Sequence, residues 1–158
     1  MVLRATGIVR AADVAATPWE IVVLDAGERH LRRRRITLQH GDEVMVDLAH
    51  TVKLADRDCL VLEDGRLVEV IAADEDLIEV RARDAAHLVQ LAWHIGNRHL
   101  EAQIEDTRIL IRPDHVIHAM LEQLGARLGE VREPFAPEHG AYSHAHAPAP
   151  PGGFSLEP

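Results

Sequence analysis

Cysteine is nearly absent: Cys59 stands alone in 158 residues, so the chain forms no internal disulfide and offers no CxxC pair for metal or redox work. Aromatic residues are scarce too, five in all. With a net charge of -9 and a pI near 5.6, little is left for stacking bases or meeting phosphates, which argues against nucleic-acid binding. No apolar run approaches the ~18 to 20 residues that span a bilayer, and the opening MVLRATGIVRAADV lacks the basic-then-apolar build of a signal peptide. A cytoplasmic protein without membrane contact is expected. The phosphate loop GxxxxGK(S/T) and the motifs GxGxxG, HExxH and GxSxG are missing, so nucleotide hydrolysis, hydride transfer and zincin or serine-hydrolase chemistry have no foothold.

What the chain does have is histidine. Eleven are present, three in residues 1–72 and eight in residues 73–158. Charge divides at the same place: 10 basic against 12 acidic residues give -2 before it, and 7 against 14 give -7 after it. The second half is therefore where cations would be handled. A hydrophobic content of 47% is enough for a buried core, and the length fits one domain or two small ones.

The first half reads as short strands with turn signals, including Ile21–Leu24 and the pair Ile36–Leu38 and Val44–Leu48 around His40-Gly41-Asp42. In CLVLEDGRLVEVIA, Asp64-Gly65 suggests a tight type I′ turn between alternating strands. An N-terminal antiparallel β domain over residues 1–72 is expected. After the acidic joint Ala73–Asp76 the pattern changes. A strand at Leu77–Ala82 leads to a helix capped by Asp84, with Leu88, Leu91, Ala92 and Ile95 on one stripe and Gly96-Asn97 as its stop. Two strands, Glu101–Glu105 and Arg108–Ile111, precede a second helix opened by Pro113-Asp114, with Ile117, Met120, Leu121 and Leu124 inward and Gly125 at its end. A last strand falls around Leu128–Arg132. The order βαββαβ predicts a ferredoxin-like domain over residues 73–137, giving an α+β protein. Residues 138–158 are rich in proline, glycine and histidine and contain no lysine or arginine, so a flexible tail carrying imidazoles is expected.

Helical geometry singles out His115. Taking Ile117 as zero at 100° per residue, the apolar stripe lies between about 300° and 40°, whereas His115 falls near 160°, away from the core. Ala119 leaves a flat surface beside it and His118 lies on the flank, an arrangement suited to contact with a second copy of the chain. The first turn of a helix, with its positive dipole end, favours the neutral ring that ligates metals, and Asp114 offsets part of this. Neutral imidazole suits nickel, copper and zinc. The residues alone leave His115 open between a ligand and an exposed or capping histidine. One imidazole is not a metal site, but a two-fold dimer turns one histidine per chain into two ligands. His144 and His146 could add more, or belong to a solvated linker.

The other candidates read as structural. His87 and His94 align on the border of the first helix's apolar stripe, His99 sits at a strand entrance, and His30, His40 and His50 occupy separate turns. Trp19 and Trp93 are expected in the core. Arg32–Arg35 is a solvated strand edge or a docking patch for an acidic protein surface. An RRM-like RNA-binding module is the alternative for the βαββαβ order, but the three predicted strands of residues 77–111 contain none of the aromatics on which such modules stack bases. A metal-dependent hydrolase would need a general base, with Asp114 the only obvious candidate.

One ordered set of stretches carries a family resemblance: Leu60-Val-Leu-Glu-Asp-Gly65, Val70-Ile-Ala-Ala73, Glu79-Val-Arg-Ala82, Trp93-His-Ile-Gly-Asn-Arg-His99 with Gln103, Asp114-His-Val with Met120-Leu121, and Pro134-Phe-Ala-Pro-Glu138 with Gly140-Ala-Tyr142. Over about residues 4–146 the chain resembles the urease accessory protein UreE family of nickel metallochaperones. The resemblance implies a homodimer with an N-terminal partner- or peptide-binding β domain and a ferredoxin-like domain that pairs two chains. It places the family's central nickel ligand at His115 and the extra metal-binding tail at His144 and His146. It also implies delivery of Ni²⁺ to apo-urease through a complex of accessory proteins that includes the GTPase UreG, with Zn²⁺ or Cu²⁺ able to substitute, and no reaction catalysed by the chain itself. Three features depart from the richest members of the family: the tail has three histidines, none lies between Gly125 and Pro134, and His118 stands where an acidic residue is often found.

Overall fold

The computed structural model describes residues 2–138, and His144 and His146 lie outside them. The chain builds two sheets in succession. Strands β1 (Leu3–Val9), β2 (Glu20–Leu24), β3 (His30–Thr37), β4 (Glu43–Lys53), β5 (Cys59–Leu62) and β6 (Leu67–Ala72) form a six-stranded sheet of order β2-β6-β5-β1-β4-β3. Alternation along them turns Leu31, Val44, Val46, Leu60, Val68 and Val70 into one closed core. The sheet curls until its two ends meet, where the Gln39 amide just past β3 donates to the Ile21 carbonyl of β2 at 3.1 Å.

This sheet is mixed, which corrects the antiparallel expectation. The hairpin neighbours β3–β4 and β5–β6 are antiparallel, as turn chemistry foretells, but β1 runs parallel to β4 and β2 parallel to β6. Those pairings join strands far apart in sequence, where no turn residue announces the partner. Strand β1 itself went unpredicted. The β5–β6 turn is also different from a type I′ turn: Gly65 alone takes positive φ (86°), its amide donates to Leu62, and the Leu62 amide donates to Arg66. That is a type I turn closed by a glycine bulge, which needs one left-handed residue where type I′ needs two.

Ala73 alone separates β6 from β7 (Asp74–Arg81), so the acidic stretch is strand rather than joint. There follow α1 (Ala85–Gly96), β8 (Ala102–Ile104), β9 (Arg108–Ile111), α2 (His115–Gln123) and β10 (Arg127–Pro134), with sheet order β10-β7-β9-β8 and every pairing antiparallel. Ile78, Val80, Ile109 and Ile111 on one face of this sheet pack with Leu88, Leu91 and Ile95 of α1 and Ile117 and Leu121 of α2. Helix α1 starts where Asp84 accepts from the His87 amide, and α2 where Asp114 accepts from Val116 and Ile117. Gly125 (φ 82°) ends α2 in a Schellman motif, with Ala126 donating to Leu121 and Gly125 to Glu122. Helix α1 ends at Gly96 with Asn97 as its C-cap, as expected, and the left-handed residue beyond it is His99 (φ 56°), a conformation that histidine adopts more readily than most side chains.

A third cluster locks the two sheets together. Phe135, fully buried, packs with Leu77 and Leu110 of the second sheet and with Ala26 in the turn between β2 and β3. Buried Arg29 donates to the carbonyls of Leu24, Leu54 and Phe135, and Lys53 donates to Pro137. Burial of the Arg29 guanidinium pulls its pKa below the ordinary arginine value, opposed by Glu75, Asp56 and Asp25.

Candidate metal-binding face

His115 is the first residue of α2 and is exposed, on the side opposite Ile117 and Leu121. It lines an open groove of about 310 Å³ between the start of α2 and β7–β10, together with Asp114, His118, Ala119, Glu122 and Glu130. His118, at the flank that the helical angle predicts, is half-buried, with Nε2 3.2 Å from Oε1 of Glu122. Three carboxylates and two imidazoles thus line one groove without a lysine or arginine. Glu122 was missed in the sequence although its spacing of four from His118 puts both on one helix face, whereas Glu130 comes from a different element and had no signal near His115 in the sequence. Among the described residues no three potential ligands gather around one point within a single chain.

The remaining histidines serve structure or lie elsewhere. His87 is 3% exposed. Its Nδ1 accepts from the Arg83 amide at 3.1 Å and its Nε2 meets the Leu124 carbonyl at 2.8 Å, tying the start of α1 to the end of α2. His94 packs edge-on against Trp93, with ring centroids 5.1 Å apart. His40 pairs through Nδ1 with the buried Glu20 carboxylate. The Ile21 amide, ahead of His40, holds that carboxyl below its usual pKa against the upward pull of burial.

Both tryptophans depart from the core placement expected of them. Trp19 is 41% exposed beneath the Arg66 guanidinium, and Trp93 is 65% exposed on the outer face of α1 near Val89. Trp93 follows Ala92 at the edge of the apolar stripe, and the core side is already filled by Leu88, Leu91 and Ile95. Arg32–Arg35 lie exposed on β3, at the end of the strand order, with Arg33, Arg34 and Arg35 paired to Asp47, Glu28 and Glu43. On the sheet face away from the helices, Arg108 is clamped by Glu133, Glu79 and Glu105, which raises its pKa. That face presents ion pairs where a base-stacking surface would present aromatics.

Fold and face together describe a two-domain mixed α/β protein that presents imidazoles and carboxylates along an open surface groove. The family model for the UreE urease accessory protein N-terminal domain matches residues 5–73, and the model for its C-terminal domain matches residues 75–151. The urease accessory protein UreE of Mesorhizobium japonicum is 56% identical over 144 residues, covering 90% of this chain and 74% of that protein. UreE 1 of Brucella suis is 53% identical over 144 residues (90% and 89% of the two chains), and UreE of Agrobacterium fabrum 54% over 144 residues (91% and 89%). The chain belongs to the UreE family of urease accessory proteins, and so to the machinery of urease maturation. No helix among the described residues is long and apolar enough to cross a membrane.

Proposed function

We propose that this chain is a nickel metallochaperone, with Ni²⁺ as cargo, that supplies apo-urease during assembly of its active site and catalyses no reaction of its own. It works as a homodimer in the cytoplasm, with residues 1–72 as the partner-binding domain, the ferredoxin-like residues 73–137 as the metal-binding and dimerising domain, and residues 138–158 as the tail. Its partners are the urease apoprotein and accessory proteins including the GTPase UreG. Each chain brings one His115 to a two-fold seam, and His144 and His146 supply further ligands.

The observation that carries this reading is the placing of His115. It is exposed on a groove walled by carboxylates, in a chain of this family, and the described residues of one chain never complete a three-ligand set. A second copy is the simplest source of what is lacking. Glu138 bridges to Ala102, which stands opposite Ile111 at the end of β9 from which α2 departs. His144 follows Glu138 by six residues. A few imidazoles with open positions suit a carrier, because water or an incoming ligand can enter and the ion can leave. Zn²⁺ and Cu²⁺ share the taste for imidazole and can substitute.

Calorimetric titration with Ni²⁺ tests the reading. The parent chain should show one tight site per dimer, His115→Ala should abolish it, and removal of residues 139–158 should reduce only weaker binding. Affinity should fall at acid pH, since protons compete with the ion for the imidazoles. A tight site that survives His115→Ala overturns the assignment.

A further inference from the structure

One turn beyond His115, the outer face of α2 holds a pair that the two-fold seam does not need. His118 Nε2 and Glu122 Oε1 lie 3.2 Å apart at i and i+4, with side chains 41% and 61% exposed. Two ligands at right angles on one ion, each at about 2.1 Å, stand about 3.0 Å apart. The two groups already meet on one helix face, so the helix brings them together without any loop having to order. We propose that His118 and Glu122 form a second divalent-cation site, complete within one chain, that takes borderline ions such as Ni²⁺ or Zn²⁺ with water in the remaining positions.

Two observations converge on it. The donor set is one imidazole and one carboxylate, which excludes the thiolate-preferring ions and favours the nickel, copper and zinc group. The groove also holds Asp114 and Glu130 and no basic side chain, a lining that favours cations. With two protein ligands and open solvent, the site exchanges quickly. His115 is three residues back, a near neighbour on the helix surface. The pair is thus a loading position from which an ion passes along the groove to His115.

The test uses the full-length His115→Ala chain, in which the seam site is removed, and paramagnetic Ni²⁺ followed by NMR. Saturable broadening centred on the His118 ring and the amides around Glu122 is expected. Adding His118→Ala or Glu122→Gln should raise the Ni²⁺ concentration needed at least about tenfold, with the amides of α1 unchanged as a check on the fold. If the same amides broaden at the same Ni²⁺ concentration after Glu122→Gln, or if His118 gives no response, the site does not exist. The seam reading is judged separately, by loss of the tight site in His115→Ala, so either can fail alone.

Discussion

Helices α1 and α2 each begin behind an aspartate cap, Asp84 or Asp114, and each carries a histidine in its first turn. His87 is the third residue of α1 and lies on the flank of the apolar stripe, where both ring nitrogens are taken up by backbone groups of other segments. His115 is the first residue of α2 and projects into solvent. The difference is one of helical phase: two positions along the helix are 200° around it, enough to turn an imidazole from buried structural pin to solvent-exposed ring. Residue type and local motif are nearly the same in the two places. Only the direction in which the helix faces the sheet separates them.

The strongest way to break this comparison is to remove each ring. His87→Ala leaves the Arg83 amide and the Leu124 carbonyl without their partner in a buried place, and should cost about 2–4 kcal/mol in denaturant unfolding while leaving metal binding in place. Gly125→Ala tests the same pin from its far end. The left-handed backbone at Gly125 follows directly on Leu124, and an added Cβ would meet the Arg83 guanidinium at 2.6 Å, so a loss of about 1–2 kcal/mol is expected by the same measurement. The caps should behave alike, with Asp84→Ala and Asp114→Ala each costing about 1 kcal/mol, because each carboxylate satisfies amides at the head of its helix. His115→Ala is the smallest in stability, within about 0.5 kcal/mol. If it destabilises the fold as His87→Ala does, the contrast between buried pin and exposed ring is gone.

Much of the second domain was readable because each element carries its own punctuation. Asp84 and Asp114 start helices, Gly125 ends one, and the stripes Leu88–Leu91–Ile95 and Ile117–Leu121 face the core as their spacing requires. The first domain was less readable. Its hairpins follow from local turns, but the parallel partners of β1 and β2 are chosen by how the sheet curls over Leu31, Val46 and Leu60. Trp93 shows a similar failure. Apolarity alone marked it for burial, while three aliphatic neighbours had already filled the helix's inward side. At the site, His115 and His118 were found by phase, but Glu130 enters the groove only because β10 lies beside β7 and α2 crosses above them.

What the sequence determined by itself is local: where strands and helices begin and end, which stripe of each helix is apolar, and that His115 points away from its own core. These follow from backbone conformation and side-chain periodicity, which act over a few residues. What only the tertiary structure decided is which distant groups meet. Phe135 and Arg29 clasp two sheets, Glu138 anchors beside Ala102, and carboxylates from α2 and β10 converge on one groove. The physical reason is that burial is non-directional, rewarding any apolar surface removed from water. The choice among partners is made by the packing of the whole chain, and no short segment contains it.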